Sequence, residues 1–175
     1  LCEHVVNAGG TYARQMGEWS GLQLPMTSMT HHYFVTDTVP EFKDYDDLPV
    51  IRDDKLVSGY IRMEQKSGLI GIYEKENPNT VWVDHCPWEA ENELFEPDYD
   101  RIMPWLENAL DRMPIFAELG IKREVHGAIS HPPDGNPLIG PAPGVTNYWC
   151  CCGTQIGIGW GCLLYTSDAA DDLYR

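Results

Sequence analysis

His31 and His32 stand side by side in Met29-Thr-His-His-Tyr-Phe-Val-Thr36, a run rich in aromatic and β-branched residues. Imidazole is the side chain whose ordinary pKa lies nearest neutrality, so either ring could hold or move a proton. On residue type alone, a histidine in a strand is a hydrogen-bonded structural residue. Downstream, Gly59-Tyr-Ile-Arg-Met-Glu64 spaces Tyr60, Arg62 and Glu64 two residues apart, which puts all three on one face of a strand. Tyr60 taken alone reads as core packing. Arg62 can grip a carboxylate bidentately or pair with Glu64.

Six cysteines offer less. Cys2, Cys86, Cys150, Cys151, Cys152 and Cys162 contain no C-x-x-C pair, so neither a zinc ribbon nor a thioredoxin-like site is formed. Cys150 to Cys152 lie in an apolar run and read as small buried residues on alternating faces of a strand. Free thiols of this kind fit a reducing compartment. Three glycine segments carry more. Val5-Val-Asn-Ala-Gly-Gly10 reads as a strand delivering the backbone into a tight turn. Pro132-Pro-Asp-Gly-Asn-Pro137 is a turn by its local chemistry, and Gly153-Thr-Gln-Ile-Gly-Ile-Gly-Trp-Gly161 is glycine-rich throughout.

The elements that must position these residues follow from periodicity. After the first turn, Thr11 to Ser20 has helical spacing, with Tyr12, Met16 and Trp19 on one face and Gly21 as a C-cap. Met29–Thr36, Leu48–Arg52, Leu56–Glu64 and Ser67–Tyr73 read as strands, the last two joined through Gln65-Lys66 as a hairpin. Residues 77–93 read as a loop lying over a surface. Asp98 to Leu119 carries the stripe Ile102, Trp105, Leu106, Ala109, Leu110 and Met113, with Asp98 or Asp100 as cap, Pro104 near its start and Pro114 kinking or ending it. Lys122–Ile129, Pro137–Ile139 and Tyr148–Cys152 return to strand.

The chain has 175 residues, enough for one domain with a sizeable core, and a formal net charge of −15. That charge argues against a nucleic-acid partner, and no apolar run reaches the roughly 20 residues of a membrane helix. The start, Leu-Cys-Glu-His, lacks an initiator Met and a signal pattern, as expected of a chain entered mid-gene. From Cys162 the character changes. Cys162 to Asp172 reads as the in-frame translation of a sequencing adapter, so residues 162–175, with Asp168, Asp171, Asp172 and Arg175, are expected to be non-native.

Taken in order, these segments resemble the dimethylglycine and sarcosine dehydrogenase family. The collinear matches run from Val5–Arg14 through Met29–Thr36, Leu48–Asp53, Gly59–Glu64, Gly71–Glu74 and Glu93–Ile102 to Pro132–Pro141 and Gly144–Trp149. The resemblance implies an α/β fold of the D-amino-acid-oxidase type: a partial FAD-binding, Rossmann-like domain interrupted by a β-rich substrate domain. Residues 1–22 would end one FAD-binding part, 23–125 would form the substrate domain with one long helix, and 126–161 would return to the flavin. The first G-x-G-x-x-G unit, the flavin-attaching histidine and a folate-binding domain lie outside the chain, so tetrahydrofolate enters only through a missing C-terminal domain.

The resemblance also implies roles. Asn7, Ala8, Gly9, Gly10 and Tyr12 would contact FAD as the second nucleotide turn of two-dinucleotide-fold flavoproteins. Asp134 and Gly135 would return the chain to the flavin. Gly153, Thr154, Gln155, Ile156, Gly157 and Ile158 would offer backbone N–H groups at a helix N-terminus to its pyrimidine carbonyl. His31 matches the family's H-x-Y histidine near the reactive face of the flavin, His32 stands where Gln is usual, and Tyr60 matches an aromatic position facing the substrate amine. His31 and Tyr60 are thus the expected catalytic pair for hydride removal from an N-methyl group. The expected substrate is a small methylated amine, and the acceptor an electron-transfer flavoprotein or oxygen. A deaminating oxidase of the same fold and a non-catalytic flavin-binding module are the alternatives. No metal, nucleic acid or membrane is expected, and the setting would be bacterial cytoplasm or mitochondrial matrix.

Overall fold

Alternation and turn chemistry divide the described chain into two compact units. The computed structural model describes residues 2–75, 78–91 and 93–172, with 166–172 as backbone only. Leu173 to Arg175, and the side chains of Asp168, Asp171 and Asp172, lie outside the described residues.

The first unit comprises residues 1–28, 81–89 and 129–175. Its sheet has the order β1 (Val5–Asn7), β9 (Tyr148–Cys152), β8 (Leu138–Pro141). β1 and β9 run parallel, with Val5 opposite Tyr148 and Asn7 opposite Cys150, whereas β8 and β9 are antiparallel. A short 3₁₀ turn leads into α1 (Ala13–Glu18). Its buried face is Ala13, Gln15 and Gly17, not the expected Tyr12–Met16–Trp19 stripe, and Trp19 is 73% exposed. The reason is small-residue packing: a Cβ on Gly17 would stand 3.2 Å from Leu24, so the helix sits close upon the following chain. Cys150 and Cys152 enter the core with Ala13, Leu22, Leu24 and Met26, while Cys151 is half-buried. α3 (Gly157–Asp172) follows the glycine-rich stretch.

The second unit comprises residues 29–80 and 90–128. Its sheet has the order β3 (Ile51–Asp53), β4 (Gly59–Glu64), β5 (Ser67–Ile72), β2 (Thr27–Thr38), β6 (Thr80–Val81), and β7 (Ile121–His131) also pairs with β2. The two-residue loop Gln65-Lys66 fixes the β4–β5 register, so Glu64 opposes Ser67 and Tyr60 opposes Gly71. One face presents Phe34, Ile61, Met63, Ile70 and Ile72, all buried against Ile102 and Ala109 of α2 (Tyr99–Arg112). Each such side chain contributes roughly 1.5–3 kcal/mol by leaving water. Asp98 caps α2, its carboxylate accepting from the Arg101 N–H at 3.3 Å. Pro104 falls inside the helix rather than in its first turn, where it removes one intrahelical bond. The helix stops at Arg112, short of Leu119, because Pro114 opens a separate 3₁₀ segment, Pro114–Glu118.

Candidate active site

The register of the second sheet builds the site. Residues directly opposite one another share a face. Arg52 opposes Tyr60, Tyr60 opposes Gly71, and Gly71 opposes Tyr33, so one row crosses four strands. Two residues along, Tyr73 and His31 point the same way as Gly71 and Tyr33. This face lies opposite the one that α2 covers.

The rings gather there. His31 and Tyr60 are brought together, their centroids 6.1 Å apart. Tyr73 stacks on His31 at 4.3 Å and lies 5.9 Å from Tyr60. The Arg52 guanidinium sits 5.0 Å over the Tyr73 ring, while its Nε donates to Asp54 Oδ1 at 2.7 Å. Gly71 makes room for this cluster: a side chain there would collide with the Tyr60 ring. Burial, reinforced by Tyr73, pushes the Tyr60 phenol up, so it stays a neutral donor at physiological pH. Arg62 takes the other course open to it and pairs with Glu64 at 2.5 Å.

Tyr73 and Arg52 belong to this cluster although neither was singled out from sequence. The signal was present. The two-residue hairpin loop fixes Gly71 opposite Tyr60, which places Tyr73 on the same face before any coordinate is known.

His32 occupies the opposite face, fully buried. Its Nε2 accepts the Asp98 backbone N–H at 3.1 Å, and its Nδ1 lies 3.2 Å from Glu74 Oε1. A backbone N–H can only donate, so the ring proton sits on Nδ1 and is donated to Glu74. His126 stacks on His32 at 3.5 Å, and its Nδ1–H donates to the Glu96 carbonyl at 2.6 Å. His32, Glu74 and His126 bring potential ligand atoms within 4.8 Å of one another. The tautomer argues against a cation there, because a cation on His32 Nδ1 would move the ring proton to Nε2, against the Asp98 N–H. His32 is the centre of a hydrogen-bonded relay from Glu74, just past β5, to the cap of α2, with His126 stacked on it.

In the first unit, parallel pairing places the C-terminal ends of β1 and β9 at the same edge of one sheet. That edge is where ligands sit in parallel α/β sheets. Ala8, Gly9 and Gly10 leave β1 there, and Gly153 to Ile158 leave β9. The Asn7 side chain is spent inside the turn: Nδ2 donates to Ala13 O at 2.8 Å and Tyr148 Oη at 2.9 Å, and Oδ1 accepts from Gly9 N at 3.1 Å. The whole residue is buried, so Asn7 shapes the turn from within. Gly10 has φ +55, and a Cβ on Gly9 would stand 2.6 Å from Met16 Sδ. Tyr12 stacks on Trp88 at 5.3 Å and donates to Pro87 O at 3.1 Å, which ties the 81–89 segment to this turn.

The second turn is equally built. Gly135 has φ +72, and its N–H donates to Pro132 O at 3.1 Å. Asp134 accepts from the Asn136 N–H at 3.0 Å, which holds its carboxyl below the usual range. A Cβ on Gly153 (φ +67) would meet Pro132 Cγ at 2.6 Å, so the Asp134–Gly135 turn and the glycine-rich stretch are packed together. Thr154, Gln155, Ile156 and Gly157 then lead into α3, with Ile156 and Ile158 exposed. Burial pushes the Cys152 thiol up to about 11, so it is a core residue and not a nucleophile.

Two glycine turns at one end of a parallel strand pair mark the first unit, and an antiparallel sheet with an aromatic face marks the second. The chain belongs to the FAD dependent oxidoreductase (DAO) family, whose model matches residues 1–166. It is 40% identical to mouse (Mus musculus) mitochondrial dimethylglycine dehydrogenase over 159 residues, 88% of this chain and 18% of that protein. It is 30% identical to mouse mitochondrial sarcosine dehydrogenase over 161 residues, 90% of this chain and 17% of that protein. Among solved structures, L-proline dehydrogenase from P. horikoshii superposes with TM-score 0.66 at 21% identity, covering 87% of this chain and 37% of that one. Glycine oxidase from Geobacillus kaustophilus gives 0.63 at 19% identity, covering 90% and 38%. Those structures share the fold. The chain thus spans less than a fifth of the length of the dimethylglycine and sarcosine dehydrogenases it matches. FAD is the family's cofactor, and the glycine turns at the parallel strand ends fit it, since they leave backbone N–H groups where side chains would block approach. Among the described residues, no helix is long and apolar enough to cross a membrane.

Proposed function

We propose that this chain is part of an FAD-dependent dehydrogenase that oxidises the N-methyl group of a methylated amino acid such as dimethylglycine or sarcosine. The observation that carries the reading is the aromatic face of His31, Tyr60 and Tyr73, in a chain 40% identical to a dimethylglycine dehydrogenase. FAD, when bound, accepts the hydride that leaves the methyl carbon.

The chain's own residues prepare the amine. Oxidation needs a neutral nitrogen whose lone pair can stabilise the developing iminium. His31 as a neutral imidazole can take the ammonium proton, and the Tyr60 phenol can orient the nitrogen. Tyr73 fixes the His31 ring by stacking. On the cofactor side, with Asn7 shaping the turn from within, the backbone of Ala8 to Gly10, Tyr12, the Asp134–Gly135 turn and Gly153 to Ile158 would hold FAD, the last group at the start of α3. The first unit is accordingly read as part of the FAD domain and the second as the substrate domain.

Anaerobic mixing of the full-length flavoprotein with dimethylglycine and with sarcosine tests this. Flavin bleaching with formaldehyde as the carbon product is expected. Bleaching only by primary amino acids, with ammonia released, would replace the reading by an amino-acid deaminase. In air, hydrogen peroxide release would assign oxygen as acceptor, and reoxidation by an added electron-transfer flavoprotein would assign that protein.

A further inference from the structure

The segment Val81–Glu89 lies in sequence between two stretches of the second unit, yet it packs with the first. Its backbone is an unfavourable one. Trp82 has φ +50, a left-handed conformation that strains a bulky residue, so docking contacts rather than local preference hold the shape. Those contacts fall on one side of α1 and the turn before it. Tyr12, Gln15, Glu18 and Trp19 recur at helical spacing, and each meets the segment. Trp88 stacks between Tyr12 and Trp19 at 5.3 and 5.4 Å, and His85 pairs with Glu18 at 2.8 Å. Arg14 adds a bond from Nη1 to Val83 O at 2.6 Å.

Gln15 is the buried member of this face. Its Nε2 donates to Cys86 O at 3.0 Å, and its Oε1 accepts the Cys86 N–H at 2.9 Å. One side chain thus pairs with both backbone groups of one residue, and Gln15 and Cys86 are each 4% exposed. An apolar residue would fill the space as well. Only an amide satisfies both buried groups and fixes which residue of the segment docks there. The same helix is tied to the first glycine turn. Asn7 donates to Ala13 O and accepts from the Gly9 N–H, so the turn and α1 move together.

Resting on the reading that this turn holds FAD, we propose that Val81–Glu89 is a clasp coupled to the cofactor, with Gln15 as its positioning residue. Closed on α1, the clasp keeps the Gly9–Tyr12 turn in the shape that receives FAD. Coupling of this kind is reciprocal, so bound FAD also keeps the clasp closed.

The test uses full-length apoprotein from riboflavin-starved cells, with FAD uptake followed by the quenching of its fluorescence. Gln15→Met keeps the length of the side chain and removes both bonds to Cys86. It is expected to raise the FAD concentration for half-maximal uptake at least about tenfold, and Trp88→Ala at least about threefold. Gly144→Ala strains the same unit away from the clasp and should move that concentration less than about twofold. In the wild-type protein, FAD should slow hydrogen exchange across residues 81–89 and leave the 43–47 loop of the second unit unchanged. This measurement needs no variant, so it decides even if Gln15→Met fails to fold. Unaltered uptake in Gln15→Met, an equal shift in Gly144→Ala, or exchange across 81–89 that ignores FAD would each overturn the clasp. Reduction of the FAD-loaded wild type by dimethylglycine would then leave the functional reading standing. A wild-type apoprotein that takes up no FAD would sink both.

Discussion

His31 and His32 are consecutive residues whose rings stand on opposite faces of one sheet. The first joins Tyr60 and Tyr73, and the second joins Glu74 and Asp98. One residue of strand phase therefore separates a ring in the aromatic cluster from a ring that anchors a helix.

Substitutions at the two positions should part accordingly. In the full-length enzyme, His31→Ala and Tyr60→Phe are each expected to slow anaerobic flavin reduction at least about tenfold, within the range of lost acid–base or positioning groups. His32→Gln should reduce flavin at nearly the wild-type rate, because an amide can accept from Asp98 N–H and donate to Glu74. Stopped-flow traces with dimethylglycine measure both. Wild-type rates in His31→Ala and Tyr60→Phe, with FAD content intact, would return the pair to a packing role.

His32→Leu should instead cost stability. It leaves the buried Glu74 carboxylate with Arg101 alone, at 3.5 Å, and strands the N–H of the helix cap, which costs about 2–4 kcal/mol when partners of this kind are lost. A denaturant midpoint unchanged from wild type would contradict the relay.

Much of this division is legible in the sequence through strand parity alone. The spacing of Tyr60, Arg62 and Glu64 and the two-residue loop at Gln65 give the face and the register. The glycine turns were legible because positive φ is open to glycine without a steric cost, although Trp82 (φ 50) shows that the rule does not run in reverse. The Tyr73–Arg52 contact was not singled out, since it needs the β3–β4 register, and no short turn links those strands. The buried face of α1 was misread for another reason. Aromatic size at Tyr12 and Trp19 suggested burial, but Tyr12, Trp88 and Trp19 stack on one another at the surface. The close packing of Ala13 and Gly17 claims the interior.

Gly71 tests whether the Tyr60 ring position matters as well as its hydroxyl. Gly71→Ala places a methyl group where the ring lies, so Tyr60 must move. Overpacking of this kind costs about 1–3 kcal/mol. Flavin reduction should slow at least as much as in Tyr60→Phe. Adding Tyr60→Ala to Gly71→Ala should return part of the stability, since the collision disappears, giving a non-additive double-mutant cycle in the melting temperature. Strict additivity would mean the ring does not occupy that space.

Acid should weaken the second unit through His126. Burial lowers the pKa of this ring below its ordinary value, with the nearby His32 acting in the same direction. The unfolded chain then binds a proton that the folded protein refuses. The contribution is fully present above the unfolded pKa of about 6.5 and is lost as pH falls through the lower folded value. Melting temperature is expected to decline from pH 7 toward pH 5. His126→Asn, which keeps a donor for the Glu96 carbonyl and does not titrate, should flatten that slope. An unchanged slope in the variant would assign the acid sensitivity to other groups.

Cofactor retention should separate Gly153 from Gly144, two glycines at positive φ. Gly144 (φ +79) and Gly153 (φ +67) carry similar backbone strain if replaced by alanine, of order 1 kcal/mol. Their surroundings differ. A Cβ at 144 meets nothing within 4 Å, whereas at 153 it meets Pro132 Cγ at 2.6 Å and pushes against the turn that holds Asp134 and Gly135. If that turn and the glycine-rich stretch hold FAD together, Gly153→Ala should lose both stability and flavin, and Gly144→Ala stability alone. The ratio of flavin to protein absorbance in the purified full-length variants gives the answer, with added FAD during unfolding as a second reading. Bound cofactor stabilises only a protein that can bind it, so excess FAD should raise the melting temperature of Gly144→Ala as in wild type and leave Gly153→Ala nearly unmoved. Equal flavin content and equal FAD-induced stabilisation in the two variants would remove the Pro132–Gly153 contact from the cofactor site.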